Sequence, residues 1–438
     1  MPSPATAPLP REASRPPSTP TEAAAGTATG TDRAFNRAWV ISLFGTAIGA
    51  GILFLPINAG SGGIWPLLVV TLLIGPMTYL SHRALSRMIC SAPRATDDIT
   101  CVVRDYFGEN AGRLVTVLYF CAIYPIVLIY GVGITNTVES ALTNQLHVAA
   151  PPRWLLSFVL IALLMSVMLA GQSIMLKITG LLVYPLILVL LGVTLYLIPS
   201  WQFDIFTQAG TGSPRQFLMA VWLMIPTLVF AFNHSPAISQ FSLSLKSHYG
   251  QRSAEEASRI LRSTTVLLVL FAMTFVWSCV LALGQDGLAE ARAANLPVLS
   301  YLANVHDAPF ISYLGPVVAV LAIGSSFFGH YLGAAEGLCG IIRFADPDAK
   351  RLSQRTLSLA VAAFIFVTSW LVAIINPSIL SLIESLAGPV IAAVLYLMPM
   401  YAIHKVEALR PYRGRASNVF VTIAGIVAVG GILVGLVR

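Results

Sequence analysis

The chain has 438 residues, of which 56% are hydrophobic and only 10% charged, with a mean hydropathy of +0.79. An ordinary soluble domain carries about 25% charged residues, so this composition excludes a water-soluble globular protein. Charge is sparse, and the net balance of +7 has to be read by where the basic residues fall.

Residues 1–34 are rich in Pro, Ala, Thr and Ser and are expected to form a disordered cytoplasmic tail, with no cleavable signal peptide. Eleven apolar runs follow, each near the length of about 20 residues that crosses a bilayer as a helix. They lie at 39–59, 64–82, 114–142, 154–171, 178–199, 216–236, 264–283, 312–338, 357–375, 379–403 and 418–437. The expected fold class is therefore an all-α polytopic membrane protein with eleven transmembrane helices. Residues 35–404 would hold a ten-helix core, and residues 405–438 a cytoplasmic loop with a peripheral eleventh helix. With the N-terminus inside, the tail and the even-numbered loops hold 22 of the 26 Lys and Arg. Only Arg153, Arg215, Arg292 and Arg438 fall outside. This positive-inside bias predicts a cytoplasmic N-terminus and an external C-terminus, and it makes the net charge a topology signal rather than a nucleic-acid footprint. The five cysteines have no spacing that suggests a disulfide framework or a metal site. The Asp97-Asp98 pair in a cytoplasmic loop reads as a solvated helix start.

The first span is the most informative. Within Trp39 to Ala59, Gly45, Gly49, Gly51 and Pro56 interrupt a run that otherwise would cross as a helix. Lipid offers no partner for a freed backbone N–H or C=O, so such a break is tolerated only against protein or a cavity. Secondary transporters use broken helices at the midplane, where the positive end of a half-helix holds an anionic group. Thr46, Ala47, Ile48, Gly49, Ala50 and Gly51 are thus candidates to hold a carboxylate on backbone N–H groups. The plainer reading is close helix packing over small residues.

Five spans per unit is odd, so a second five-span unit would enter the membrane inverted, and span 6 should be broken like span 1. Residues 226–236 read Pro-Thr-Leu-Val-Phe-Ala-Phe-Asn-His-Ser-Pro, a poor helix interior and an apt polar lining. Spans 3 and 8 correspond too: both are long and carry polar clusters, Asn136 and Thr137 on one, Ser325, Ser326 and His330 on the other.

Gly-Thr-Ala-Ile-Gly-Ala-Gly (45–51), Ile-Thr-Asn-Thr (134–137), Pro-Val-Leu-Ser-Tyr-Leu-Ala-Asn (297–304), Ser-Phe-Phe-Gly-His-Tyr-Leu-Gly (326–333), Asn-Pro-Ser-Ile-Leu-Ser-Leu-Ile-Glu (376–384) and Leu-Met-Pro-Met-Tyr-Ala-Ile (397–403) together resemble the hydroxy/aromatic amino acid permease family, in its serine/threonine transporter branch. The resemblance covers nearly everything after the tail. It implies two inverted five-helix repeats with broken helices 1 and 6, as in the amino acid–polyamine–organocation superfamily, and amino acid import typically driven by protons.

Carried onto this sequence, the resemblance implies that Phe230 to Ser235 supply carbonyls for the substrate ammonium and a wall for the substrate side chain, with Phe232 as a lid. Asn233 and Ser235 could bond a substrate hydroxyl. His234 departs from the serine branch, where an aromatic residue tends to stand; it would read the side chain, carry a proton, or simply be a satisfied structural histidine. Buried charge costs at least about 2.5–3.5 kcal/mol in a span, so Glu384, Glu336 and Glu139 stand out. Glu384 would gate the outer vestibule, whereas Glu139 suits an interface. Lys177 reads as a snorkelling anchor or a coupling group, and His82 and Arg83 as anchors at the inner end of span 2. Tyr124 and Tyr130 sit about 120° apart on a helix, so one faces the pocket, and Tyr130 is nearer the midplane. Relatives carry Lys where Ser325 stands. Here Ala322, Ser325 and Ser326 share a helix face and offer hard oxygens suited to sodium, against the family's habit of proton coupling.

The expectation is a cation-coupled symporter, with a proton as coupling ion ahead of sodium, that imports serine or threonine across the inner membrane by alternating access. Its partners would be the amino acid and the bilayer, with no nucleic acid, cofactor or obligatory protein partner. Rival readings are an aromatic amino acid permease and a transporter-like membrane sensor. No pattern of catalytic residues within a span suggests an enzyme.

Overall fold

The computed structural model describes residues 30–60, 62–203, 206, 213–294, 296–305, 309–345, 353–379 and 388–437. Among these the regular structure is entirely helical. Seven helical runs are long and apolar enough to cross a membrane, and an eighth is gained when the bent pair at the start counts as one span. Shorter apolar helices lie at Arg153–Leu169, Val390–Lys405 and Ala416–Gly430.

Helix α1 (Gly30–Ala47) begins a few residues inside the segment expected as tail. It stops at Ile48 and Gly49 and resumes as α2 (Ala50–Gly60), the two halves differing in direction by 47°. The unwinding is narrower than the glycine pattern suggests, because Gly45 and Gly51 are helical and Pro56 is taken into α2. Next come α3 (Ile64–Cys90) and the short α4 (Ile99–Phe107), capped by Asp98, whose carboxylate accepts from Cys101 N–H at 3.0 Å. Burial, then the Asp98 carboxylate, pushes the Cys101 thiol up to about 11, leaving it protonated and inert at neutral pH. Helices α5 (Glu109–Ser140), α6 (Arg153–Leu169) and α7 (Gln172–Leu197) complete the first half.

The second half opens with α8 (Pro214–Ala231), started by a reciprocal Ser213–Gln216 capping box. It ends at Phe232, and α9 (Ser235–Tyr249) follows after Asn233 and His234. The segment does not end at Pro236, as the apolar run 216–236 suggested. Pro236 opens α9, in the first turn, where a missing N–H costs nothing. Beyond lie α10 (Ser253–Leu268), α11 (Thr274–Ala293), α12 (Val298–Val305), α13 (Pro309–Ala345) and α14 (Gln354–Ile375). Helix α11 bends at Gly284, whose φ of +65° suits glycine, and α14 ends on Asn376 in the left-handed region just before Pro377. Three further helices, α15 (Gly388–Ala392), α16 (Met398–Lys405) and α17 (Ala416–Val437), finish the chain. Helix α17 is tied to α8 by Trp222 Nε1, which donates to Val427 O at 2.7 Å.

Helix α13 is the spine. A Cβ added at Gly329 would lie 2.1 Å from Thr46 Oγ1, at the end of α1. One at Gly333 would lie 2.9 Å from Pro236 Cα, at the start of α9. At Gly337 it would meet Phe120 of α5 at 3.1 Å, and at Gly340 it would meet Thr100 of α4 at 2.9 Å. These positions share one helix face by their spacing. Lipid removes the hydrophobic drive between helices, so close approach over small residues is what holds them. Gly180 on α7 has nothing within 4 Å of its would-be Cβ. Gly329→Ala should therefore lose about 1–3 kcal/mol through overpacking, seen as a lower melting temperature in detergent. Gly180→Ala should gain up to about 1 kcal/mol of helix propensity. Equal melting temperatures for the two variants would contradict this packing.

Candidate functional site

At the first break the last carbonyls of α1 lose their helical partners. Helix α13 supplies replacements. Ser326 Oγ donates to Thr46 O at 2.5 Å, and Ser325 Oγ lies within reach of Gly45 O (3.3 Å) and Ala322 O (3.1 Å). Tyr130 Oη from α5 is 2.7 Å from Ser326 Oγ. One hydroxyl proton cannot serve two acceptors, so with Ser326 donating to Thr46 O, Tyr130 donates to Ser326. His330 Nδ1 donates to Ser326 O at 2.9 Å, and its ring meets Tyr130 edge-on at 5.2 Å. All of these side chains are buried. The hydroxyls and carbonyls of Gly45, Thr46, Ala322, Ser325 and Ser326 thus converge, already satisfied by hydrogen bonds.

The second break is held by histidines. His82 Nδ1 donates to Thr78 O at 2.8 Å, which leaves Nε2 as the acceptor for His234 N–H at 3.1 Å. The two rings stack with centroids 3.6 Å apart. His234 Nδ1 in turn donates to Phe232 O at 3.1 Å, and Asn233 Oδ1 accepts from Ser235 N–H at 3.0 Å. Two atoms are then left over. Asn233 Nδ2, a donor, and His234 Nε2, an acceptor, are buried with no partner among the described residues. Each such orphan costs about 1–3 kcal/mol.

The two breaks touch. A Cβ at Gly51 would lie 2.7 Å from Ala231 Cα, and one at Gly49 would lie 2.4 Å from Ser326 Cβ. Both glycines are therefore required by packing, and bulk there would be harmful with or without a bound carboxylate. Thr46, Ala47, Ile48, Tyr130, Phe230, Phe232, Asn233, His234, Ser235, Ala322, Ser325 and Ser326 are all buried at or beside the two breaks. The Ala50 side chain and the whole of Glu384 lie outside the described residues. Lys177 is exposed on α7. Tyr124 stacks on Phe120 and Phe364 instead of joining Tyr130. Glu139 forms an ion pair with Arg153, which also donates to Asn136 Oδ1 (2.6 Å) and Ala373 O (2.7 Å).

His82 is the residue that the sequence misplaced. It is 1% exposed and is no membrane-edge anchor, because α3 runs on to Cys90, past the apolar run. The available signal was Thr78, Ser81 and His82 on one face, at helical spacing. His82→Phe keeps the ring but strands His234 N–H, and should destabilise the protein by about 1–3 kcal/mol, as a melting curve would record. His82→Lys, harmless at an anchor, should prevent stable folding. A normal yield of folded His82→Lys protein would restore the anchor reading.

Comparison with known proteins adds the lineage. Residues 33–437 match the model of the tryptophan/tyrosine permease family. The serine transporter SdaC of Escherichia coli is 46% identical over 405 residues, covering 91% of this chain and 94% of that protein. The threonine/serine transporters TdcC of Escherichia fergusonii and Yersinia enterocolitica are 42% and 41% identical, over 90% and 92% of this chain and 94% and 96% of theirs. With the family model matched over nearly the whole chain and relatives above 40% identical along it, the chain belongs to the tryptophan/tyrosine permease family.

Proposed function

We propose that this protein is a proton-coupled importer of serine or threonine, binding its substrate between the two helix breaks and working by alternating access. The observation that carries the substrate reading is the pair of orphaned atoms at the second break. A hydroxyl both accepts and donates, so a hydroxy amino acid answers Asn233 Nδ2 and His234 Nε2 together. Backbone N–H groups at the start of α2 (Thr46 to Gly51 region) would take the carboxylate, and carbonyls around Phe230 to Ser235 the ammonium. The relatives named as serine and threonine/serine transporters favour this over an aromatic substrate.

The topology proposed with it has eleven spans, the N-terminus in the cytoplasm and the C-terminus outside, in the inner membrane. Its support is the sum of the long apolar helices, the bent pair and the three shorter ones, together with the basic residues of the even-numbered loops. Two breaks five spans apart support an inverted repeat. In that scheme the bundle of α1–α2, α3, α8–α9 and α10–α11 rocks against α5, α6, α13 and α14.

One observation favours sodium instead. Five oxygens from Gly45, Thr46, Ala322, Ser325 and Ser326 converge at the first break. The hydroxyls there already satisfy the carbonyls, which is why we prefer the proton. Uptake of a labelled amino acid panel into proteoliposomes, under imposed proton or sodium gradients, tests both points. Serine and threonine should accumulate with an inward proton gradient at constant sodium. Accumulation driven by sodium at constant pH, and abolished by Ser326→Ala, would reverse the choice of ion.

Selectivity gives a second measurement. A site built to hydrogen-bond a substrate hydroxyl rejects the analogue that lacks it, since its own groups are left unpaired. Asn233→Ala should narrow the preference for serine over alanine by about two- to tenfold, the value of a lost hydrogen bond of roughly 0.5–1.5 kcal/mol. An unchanged serine-to-alanine ratio would mean that the hydroxyl is read elsewhere.

A further inference from the structure

One turn into α9 from the second break, the protein buries a carboxylate that the reading above leaves without a task. Glu336 of α13 is 8% exposed. Its Oε1 accepts from Ser239 Oγ of α9 (2.5 Å) and from Ile99 N–H, the first amide of α4 (3.1 Å). Its Oε2 lies 3.5 Å from Gln240 Nε2, also on α9. Ile99 N–H is shared with Ser239 Oγ at 3.0 Å, so three helices meet on one side chain. Alongside, Tyr119 Oη of α5 reaches Pro236 O at 3.5 Å.

The other buried carboxylates of the described residues have cations against them. Asp97 pairs with Arg94 at 2.8 Å, and Glu256 with Arg259 at 2.9 Å. Among the described residues Glu336 has no such ion pair. The groups facing it are neutral donors from α9, the Tyr119 phenol from α5, Cys339 on its own helix, and Asp98, the acidic cap of α4. Arg343, further along α13, donates to Gln354, and Arg104 of α4 lies over the Phe344 ring. Intramembrane carboxylates without a counter-charge are costly and mark proton relays.

We propose that Glu336 takes up the coupling proton and that its charge state decides whether α4, α9 and α13 stay joined on this side of the protein. This rests on the proton-coupled reading, and the positive-inside pattern puts the junction at the cytoplasmic face. Ionised, Glu336 accepts from Ser239, Gln240 and the Ile99 N–H, and complements the positive end of α4. A proton on the carboxyl removes that charge and turns one acceptor oxygen into a donor, facing other donors. The junction then loosens, water enters, the proton leaves to the cytoplasm with the amino acid, and the restored carboxylate closes the junction again.

The test compares wild-type protein with Glu336→Gln and Glu336→Asp in proteoliposomes. Glu336→Gln keeps the size and a hydrogen-bonding oxygen but cannot change charge. It should exchange external for internal serine while losing both accumulation under a proton gradient and the pH dependence of uptake. Glu336→Asp should recover a pH dependence. A Gln variant that concentrates serine from a pH gradient like wild type, or one that folds yet exchanges nothing, would overturn the assignment. Should Glu336→Gln fail to fold, Ser239→Ala substitutes for it: it removes one donor to the carboxylate and should move the pH midpoint of uptake, and an unmoved midpoint would equally overturn the assignment. A wild-type protein driven by sodium alone would instead sink the proton-coupled reading itself, and Glu336 with it.

Discussion

The contact on which the rest of the structure depends is the seating of both helix breaks on one face of α13. Thr46 rests on Gly329 and Pro236 on Gly333, while Ser325 and Ser326 take over the carbonyls that α1 abandons. An unwound segment in a membrane is stable only if its freed backbone groups find partners in protein, and here α13 provides the space for both breaks and the partners for the first, while His82 of α3 serves the second. Side chains larger than glycine on that face would push the two breaks off the helix that satisfies them.

The two breaks are finished differently. At the first, hydroxyl and phenol groups from α13 and α5 close the hydrogen-bond account. At the second, the stacked His82–His234 pair and the Asn233–Ser235 turn fix the backbone but leave one donor and one acceptor without a partner among the described residues. Fixed geometry with unfilled valences is what a selective site requires, because groups held rigidly lose little on binding and penalise a ligand that cannot match them. Under the proposed function the second break would read the substrate hydroxyl, while the first would hold the carboxylate on a backbone already braced by α13.

Much of this was legible in the sequence, and the reasons are local. Glycine clusters and polar residues inside apolar runs are conspicuous, so both breaks and the Ser325–Ser326 step could be located by reading. The Asp97-Asp98 pair likewise announced the start of α4, with Asp98 as the cap, although Asp97 is buried against Arg94 rather than solvated. What failed was the inference of depth from hydropathy. Arg83 and Arg87 end the apolar run near His82, but α3 continues against α9, where Ser86 and Ser242 hydroxyls meet at 2.9 Å. Depth there is set by a neighbouring helix far away in sequence, and no single-segment pattern encodes that. Glu336 stood out as a carboxylate within an apolar run, but its partners were hidden for the same reason: Ile99 and Ser239 lie more than ninety residues away along the chain. The role of Pro236 was misjudged because proline marks a helix start as readily as an end.

A glycine- and serine-lined face has a mechanical consequence as well. Interlocked large side chains resist displacement, whereas a smooth face lets packed helices slide past one another by shear. Ser325 Oγ already stands between two carbonyls, Gly45 O on the broken helix and Ala322 O on its own. If the end of α1 shifts along α13, that hydroxyl can fall back on its own helix without being stranded. The face then behaves as a lubricated bearing: its hydrogen bonds are exchanged during travel rather than broken, and the barrier to moving the breaks stays low although every atom in the contact is buried.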